Sequence, residues 1–81
     1  MNPSRKYLGD LKTKEREELA MKIKEDSNDI TVSSTHLFMI GNGKRNPSRK
    51  LAAVLEKVTR GKVVTFDFDR EVKEKVKNTT L

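Results

Sequence analysis

The chain has 81 residues, 33% apolar and 37% charged, with 18 basic and 12 acidic side chains, one histidine and no cysteine. That suffices for one small domain with one modest core, and it excludes a disulfide framework, a thiolate metal site and the common multi-histidine zinc sites. The net charge of +6 points to a polyanionic partner, although charge alone does not separate nucleic acid from anionic lipid.

Asn2-Pro3 opens a first helix, since Asn is a good N-cap and Pro suits the first helical position. Leu8 and Leu11 give it a short apolar face, and Gly9 weakens anything longer. Thr13 is the next N-cap candidate, with Glu15, Glu17 and Glu18 placed for the positive end of a helix over 14–24. Leu19, Ala20 and Ile23 form its inward stripe. The polar run 25–29 reads as a loop. Thr31 or Ser33 caps a third helix, with Val32 at its entry, Leu37 and Ile40 facing inward, and Gly41-Asn42-Gly43 ending it. The string Asn-Pro-Ser-Arg-Lys recurs at 2–6 and 46–50, and reads as one capping solution used twice. It opens a fourth helix with a clean stripe at Leu51, Val54, Leu55 and Val58, stopped by Gly61. The tail has two readings. Val64, Phe66 and Phe68 alternate with polar residues, as in one short half-buried β-strand that a second subunit would pair. Thr65 could instead cap a short helix. Val72 and Val76 mark a weak helix, and 78–81 a frayed end.

The charge is uneven. Residues 32–62 hold 7 basic and 1 acidic side chain, whereas residues 25–31 hold only the acids Glu25, Asp26 and Asp29. Lys44, Arg45, Arg49 and Lys50 fall within seven residues that contain no anion. Unopposed cations beside a turn are an anion-site pattern, where a solvated face would mix signs.

Other chemistry is poorly supported. Ser33, Ser34 and His36 lie two or three apart on one short helix and point in different directions, which argues against a nucleophile and base and hence against an enzyme. Gly41-Asn42-Gly43-Lys44 lacks the spacing of a phosphate loop and follows a helix where that loop follows a strand. Asp67 and Asp69 have no further ligands for calcium, so neither metal nor cofactor is expected. The longest apolar run, Leu51 to Leu55, is five residues against ~20 for a membrane span. The opening Met1 to Lys6 has no apolar signal region. These features predict a soluble, cytoplasmic protein with no membrane partner.

Residues 14–43 read as two helices joined by a turn. The second would present Ser34, Thr35, His36, Phe38 and Met39 outward, a short uncharged set that suits base edges and thymine methyls in a major groove. Phe38 and Met39 could equally be core or dimer contacts. Lys44, Arg45, Arg49 and Lys50, with Ser48 at the start of the fourth helix, would hold the flanking phosphates.

Glu17-Glu18-Leu19-Ala20, Val32-Ser33 to Leu37, Ile40, Gly43-Lys44-Arg45, Pro47-Ser48, Leu51-Ala52, Glu56-Lys57-Val58-Thr59 and Gly61-Lys62-Val63 together resemble small Cro-like phage and prophage helix-turn-helix repressors. The resemblance covers about residues 10–65. It implies a mainly α domain of four to five helices over 1–62 and a C-terminal segment, 63–81, for dimerisation or partner contact. It also implies a homodimer that represses a promoter by binding double-stranded DNA. Carried over by position, Ser33, Ser34, Thr35, Phe38 and Met39 would read bases, while Arg16, Lys44 and Arg45 would contact the backbone. One departure is clear: eight residues, Lys24 to Thr31, separate Ile23 from Val32 where the family has a tight turn with glycine. Either the second helix runs on, or the link is an acidic loop close to the DNA.

Two other functions compete. An antitoxin-like module would mask a toxin partner through residues 63–81. A generally basic surface would bind RNA or lipid without sequence preference.

Overall fold

The computed structural model describes residues 2–71, and the regular structure among them is helical throughout. The order is α1 (Pro3–Asp10), α2 (Thr13–Asp26), α3 (Ser34–Gly41) and α4 (Arg49–Val58), then residues 65–71 as α5. The fold is therefore mainly α.

Local chemistry sets most of the boundaries. Asn2 Oδ1 accepts the Arg5 N–H at 2.7 Å, with Pro3 in the first turn. Ser33 Oγ accepts the His36 N–H at 3.1 Å, and Ser48 Oγ accepts the Leu51 N–H at 3.1 Å. Each side chain satisfies one of the donors that a helix start leaves free. Thr13 is the first helical residue of α2 and not its cap; the Glu15 carboxylate instead reaches back to the Lys12 N–H at 2.8 Å. α2 continues to Asp26, two residues past its expected end, so the link to α3 is the seven residues 27–33.

The two Asn-Pro-Ser-Arg-Lys strings are not one capping solution used twice. In the first, Asn caps and Ser4 lies buried inside the helix. In the second, Ser48 caps, leaving Asn46 and Pro47 outside α4. The end of α4 also differs from expectation. Arg60, at φ 54°, takes the left-handed position ahead of Gly61 at φ 84°.

One core joins all five helices: Leu8 from α1, Leu19 and Ile23 from α2, Leu37 and Ile40 from α3, Leu51, Ala52 and Leu55 from α4, then Val63 and Phe68. Burying each large side chain contributes about 1.5–3 kcal/mol. α1 packs on α3, while α2 packs on both α3 and α4. At the α1–α3 crossing the backbones touch. A Cβ on Gly41 would lie 2.5 Å from the Gly9 nitrogen, so this closeness requires glycine at position 41.

Of the two readings of Val64, Phe66 and Phe68, the helix holds and the strand does not, although Thr65 is the first helical residue and not the cap. The N-terminus of this helix is docked by long-range bonds that the alternation could not reveal. Buried Ser4 Oγ accepts the Val64 N–H at 2.8 Å and donates to Asp67 Oδ2. Glu56 Oε1 accepts the Thr65 N–H at 2.8 Å. Helical spacing then puts Phe68 in the core and leaves Phe66 exposed on another face. Residues 63–71 thus share the core of residues 4–59. The expected helix around Val72 and Val76 and the expected frayed end lie outside the described residues.

Candidate nucleic-acid interface

α3 owes its orientation to three inward residues. Leu37 and Ile40 are fully buried, and Gly41 sits against α1. Thr35 and Phe38 are therefore exposed on the opposite side, with Ser34, His36 and Met39 half-buried at the flanks. Ser33 is exposed, but its hydroxyl oxygen is committed to the cap.

The chain leaves α3 through a tight stop. The Gly43 N–H donates to the Ile40 carbonyl at 3.1 Å and the Lys44 N–H to the Met39 carbonyl at 3.0 Å. Gly43 is left-handed, at φ 78°, which completes the paired-bond helix ending that favours glycine at this place. Lys44 and Arg45 are therefore held immediately past the last turn of α3.

A buried arginine on α1 fixes this exit further. Arg5 is 5% exposed. Its Nη1 donates to the carbonyls of Ile40 at 2.6 Å and Arg45 at 3.0 Å. Its Nη2 donates to Asn46 Oδ1 at 2.7 Å and Glu71 Oε2 at 2.8 Å, and its Nε to Glu71 at 3.0 Å. All five guanidinium protons have acceptors, as burial of this group demands. The Phe68 ring lies 5.2 Å below, completing the enclosure. Sequence reasoning missed Arg5. The one available signal is its place beside Leu8 on the inner side of α1, because its partners lie 35 to 66 residues away.

Lys44, Arg45 and Arg49 are exposed, and no ion pair engages them among the described residues. Lys50 differs: its ammonium pairs with Asp29 of the α2–α3 link. The Lys50 ammonium and then the Ser27 hydroxyl hold the Asp29 carboxyl at about 2, below its ordinary 3.8. Asp26 likewise meets Lys57 of α4 at 2.9 Å. Two of the three acids in the 25–31 run are thus turned onto lysines of α4. Ser48 caps α4 between the Arg45 loop and Arg49.

Two expected site residues meet each other. The Arg16 guanidinium lies 4.8 Å from the centroid of the Phe38 ring. Its Nη1 donates to the Leu11 carbonyl, its Nη2 reaches Thr13 Oγ1 at 3.4 Å, and its Nε is buried with no acceptor. Of the expected dimer contacts, Phe68 is in the chain's own core, Val64 is half-buried and Phe66 is 67% exposed. The three do not form one face.

Among the described residues no three His, Cys, Asp or Glu side chains converge to hold a metal ion. No described helix is long and apolar enough to cross a membrane. No family model, curated protein or solved structure matches the chain.

Proposed function

We propose that the chain is a sequence-specific DNA-binding transcriptional regulator, a repressor of the Cro-like phage or prophage kind, which enters the major groove with α3 as a homodimer on a near-palindromic operator. The supporting observation is an adjacency. The outward face of α3, with Thr35 and Phe38 exposed and Ser34, His36 and Met39 beside them, carries no charged side chain. The exposed cations Lys44, Arg45 and Arg49 follow directly after it. An uncharged, short-armed face suits base edges, and cations beyond its end suit the phosphates that border the groove. Ser33 and Ser48, each at a helix start, lie at the margins of this surface. Lys50 joins the phosphate contacts once Asp29 releases it. Phe66, apolar and exposed, is the remaining candidate for the dimer contact.

Selection of bound fragments from random duplex DNA tests this directly. The expected result is one consensus with two half-sites about one helical turn apart. If the dimer neutralises ~4–6 phosphates, log K falls against log salt with a slope of about −4 to −5. Absence of a consensus, or a slope near zero, would remove the proposal.

A further inference from the structure

We infer that Arg16 is a positioning residue for Phe38, and that the braced Phe38 ring reads a pyrimidine 5-methyl group, that of thymine, in the major groove; this rests on the DNA-binding reading above. Phe38 is 41% exposed on the outward side of α3, three residues after Thr35. It is not part of the chain's core. A freely turning phenyl group would lose rotamer freedom whenever it made a contact. This ring is not free, because the Arg16 guanidinium covers it at 4.8 Å.

Arg16 is itself tethered. Its Nη1 is bound to the Leu11 carbonyl, its Nη2 is near Thr13 Oγ1, and its Nε is buried. These bonds tie two of its three nitrogens to Leu11 and Thr13, and burial of Nε closes the side-on fork that grips a phosphate bidentately. The guanidinium can stack, and stacking on an aromatic face is the other chemistry that arginine performs well. The brace thus spans α2 and α3 and fixes the ring relative to the helix that carries it. The ring's uncovered part is apolar. In the major groove the apolar group on offer is the thymine 5-methyl; the remaining groups are donors and acceptors.

The test uses the full chain and the operator recovered by selection. Each thymine is replaced in turn by deoxyuridine, which deletes the methyl and leaves every hydrogen-bonding edge unchanged. For the wild-type protein, one position per half-site weakens binding about fourfold, the value of one buried methyl-sized group. Phe38→Ala brings that ratio to about one while the protein remains dimeric. Arg16→Gln lowers the ratio but keeps the wild-type salt slope, whereas loss of a phosphate contact would reduce the slope by about one unit. Arg16→Lys, which keeps a cation over the ring, restores part of the discrimination.

Five outcomes overturn the inference, the last of them together with the DNA-binding reading. Indifference to every deoxyuridine substitution on a well-bound operator leaves the DNA-binding reading intact and removes this one. Discrimination that survives Phe38→Ala assigns the methyl to another side chain. A lower salt slope in Arg16→Gln makes Arg16 a phosphate contact, and a monomeric Phe38→Ala variant makes the ring a contact between copies. Failure of the selection to yield any operator removes both readings together.

Discussion

The Arg5 guanidinium and the Glu71 carboxylate, 66 residues apart, meet through three N–H···O contacts of 2.8 to 3.0 Å. The same guanidinium holds the carbonyls of Ile40 and Arg45. One side chain of α1 therefore ties α5 to the loop that carries Lys44 and Arg45. Removing one partner of a buried ion pair costs about 3–5 kcal/mol. The whole stability of so small a domain is of the order of 4–12 kcal/mol. Arg5→Met should therefore lower the unfolding free energy by about 3–5 kcal/mol, enough to unfold the chain if its stability lies at the low end of the domain range. Glu71, one-third exposed in its side chain, is the gentler site. Glu71→Gln should lower the urea-unfolding free energy by about 1.5–3 kcal/mol, the range for a hydrogen bond to a charged group. A Glu71→Gln variant as stable as the wild type would show that the charge of the Arg5–Glu71 pair contributes nothing.

The α1–α3 crossing gives a paired test. A Cβ on Gly41 would meet the Gly9 nitrogen at 2.5 Å and its Cα at 2.8 Å, both backbone atoms that cannot step aside. Gly41→Ala should cost about 1–3 kcal/mol, as overpacking does. A Cβ on Gly9 would lie 3.6 Å from the Gly41 carbonyl oxygen, an ordinary contact. Gly9→Ala should therefore stabilise by about 0.5–1 kcal/mol, the helix preference for alanine over glycine. Thermal unfolding of the two variants should move in opposite directions. A gain in both would mean that the crossing is looser than described, and a loss in both that it is tighter at Gly9.

What was legible in the sequence was mostly what is local. Asn2, Ser33 and Ser48 cap the helices they precede through bonds spanning three residues. The stripe from Leu51 to Leu55 lies in the core because its period matches a helix. Errors arose where a distant partner decided the outcome. The alternation through Val64, Phe66 and Phe68 has strand period, yet Ser4 and Glu56, 60 and 9 residues away, bind the Val64 and Thr65 amides and seat a helix. The helix that carries the candidate interface could be placed from its cap and glycine stop. The pairing of Arg16 with Phe38 and of Lys50 with Asp29 could not, because each joins two elements whose relative placement comes from the core. Arg5 was invisible for the same reason.

Asp29 makes the acidic side of the pH profile specific. Its carboxyl is held at about 2, below its ordinary 3.8, first by Lys50 and then by Ser27. A lowered folded-state value means that the contribution is fully present above the unfolded value and is lost as pH falls through the folded one. The loss therefore lies between about pH 4 and pH 2. Both side chains are well exposed, so salt should screen the effect. Carboxyl titration followed by NMR should show Asp29 returning toward its ordinary value in Lys50→Gln. An unchanged titration there would assign the shift to Ser27 and the backbone.

The proposed interface separates residues that read from residues that hold. Thr35 is exposed on the first turn of α3, and its short hydroxyl arm suits a base edge. Arg45 follows the helix stop; its carbonyl is fixed by Arg5 while its side chain stands in solvent. Losing a base contact costs about 1–3 kcal/mol on the selected site and little on random DNA. Losing a phosphate contact weakens both alike and lowers the salt slope by about one unit. Thr35→Ala should thus compress the ratio of specific to random affinity while leaving the slope unchanged. Arg45→Ala should keep that ratio and flatten the slope. Affinities of both variants for both DNAs, at two salt concentrations, are sufficient to decide. If Arg45→Ala collapses the ratio and Thr35→Ala does not, the loop after α3 is the reader. In that case the clamp from Arg5 onto the Arg45 carbonyl would be what sets its geometry against the bases.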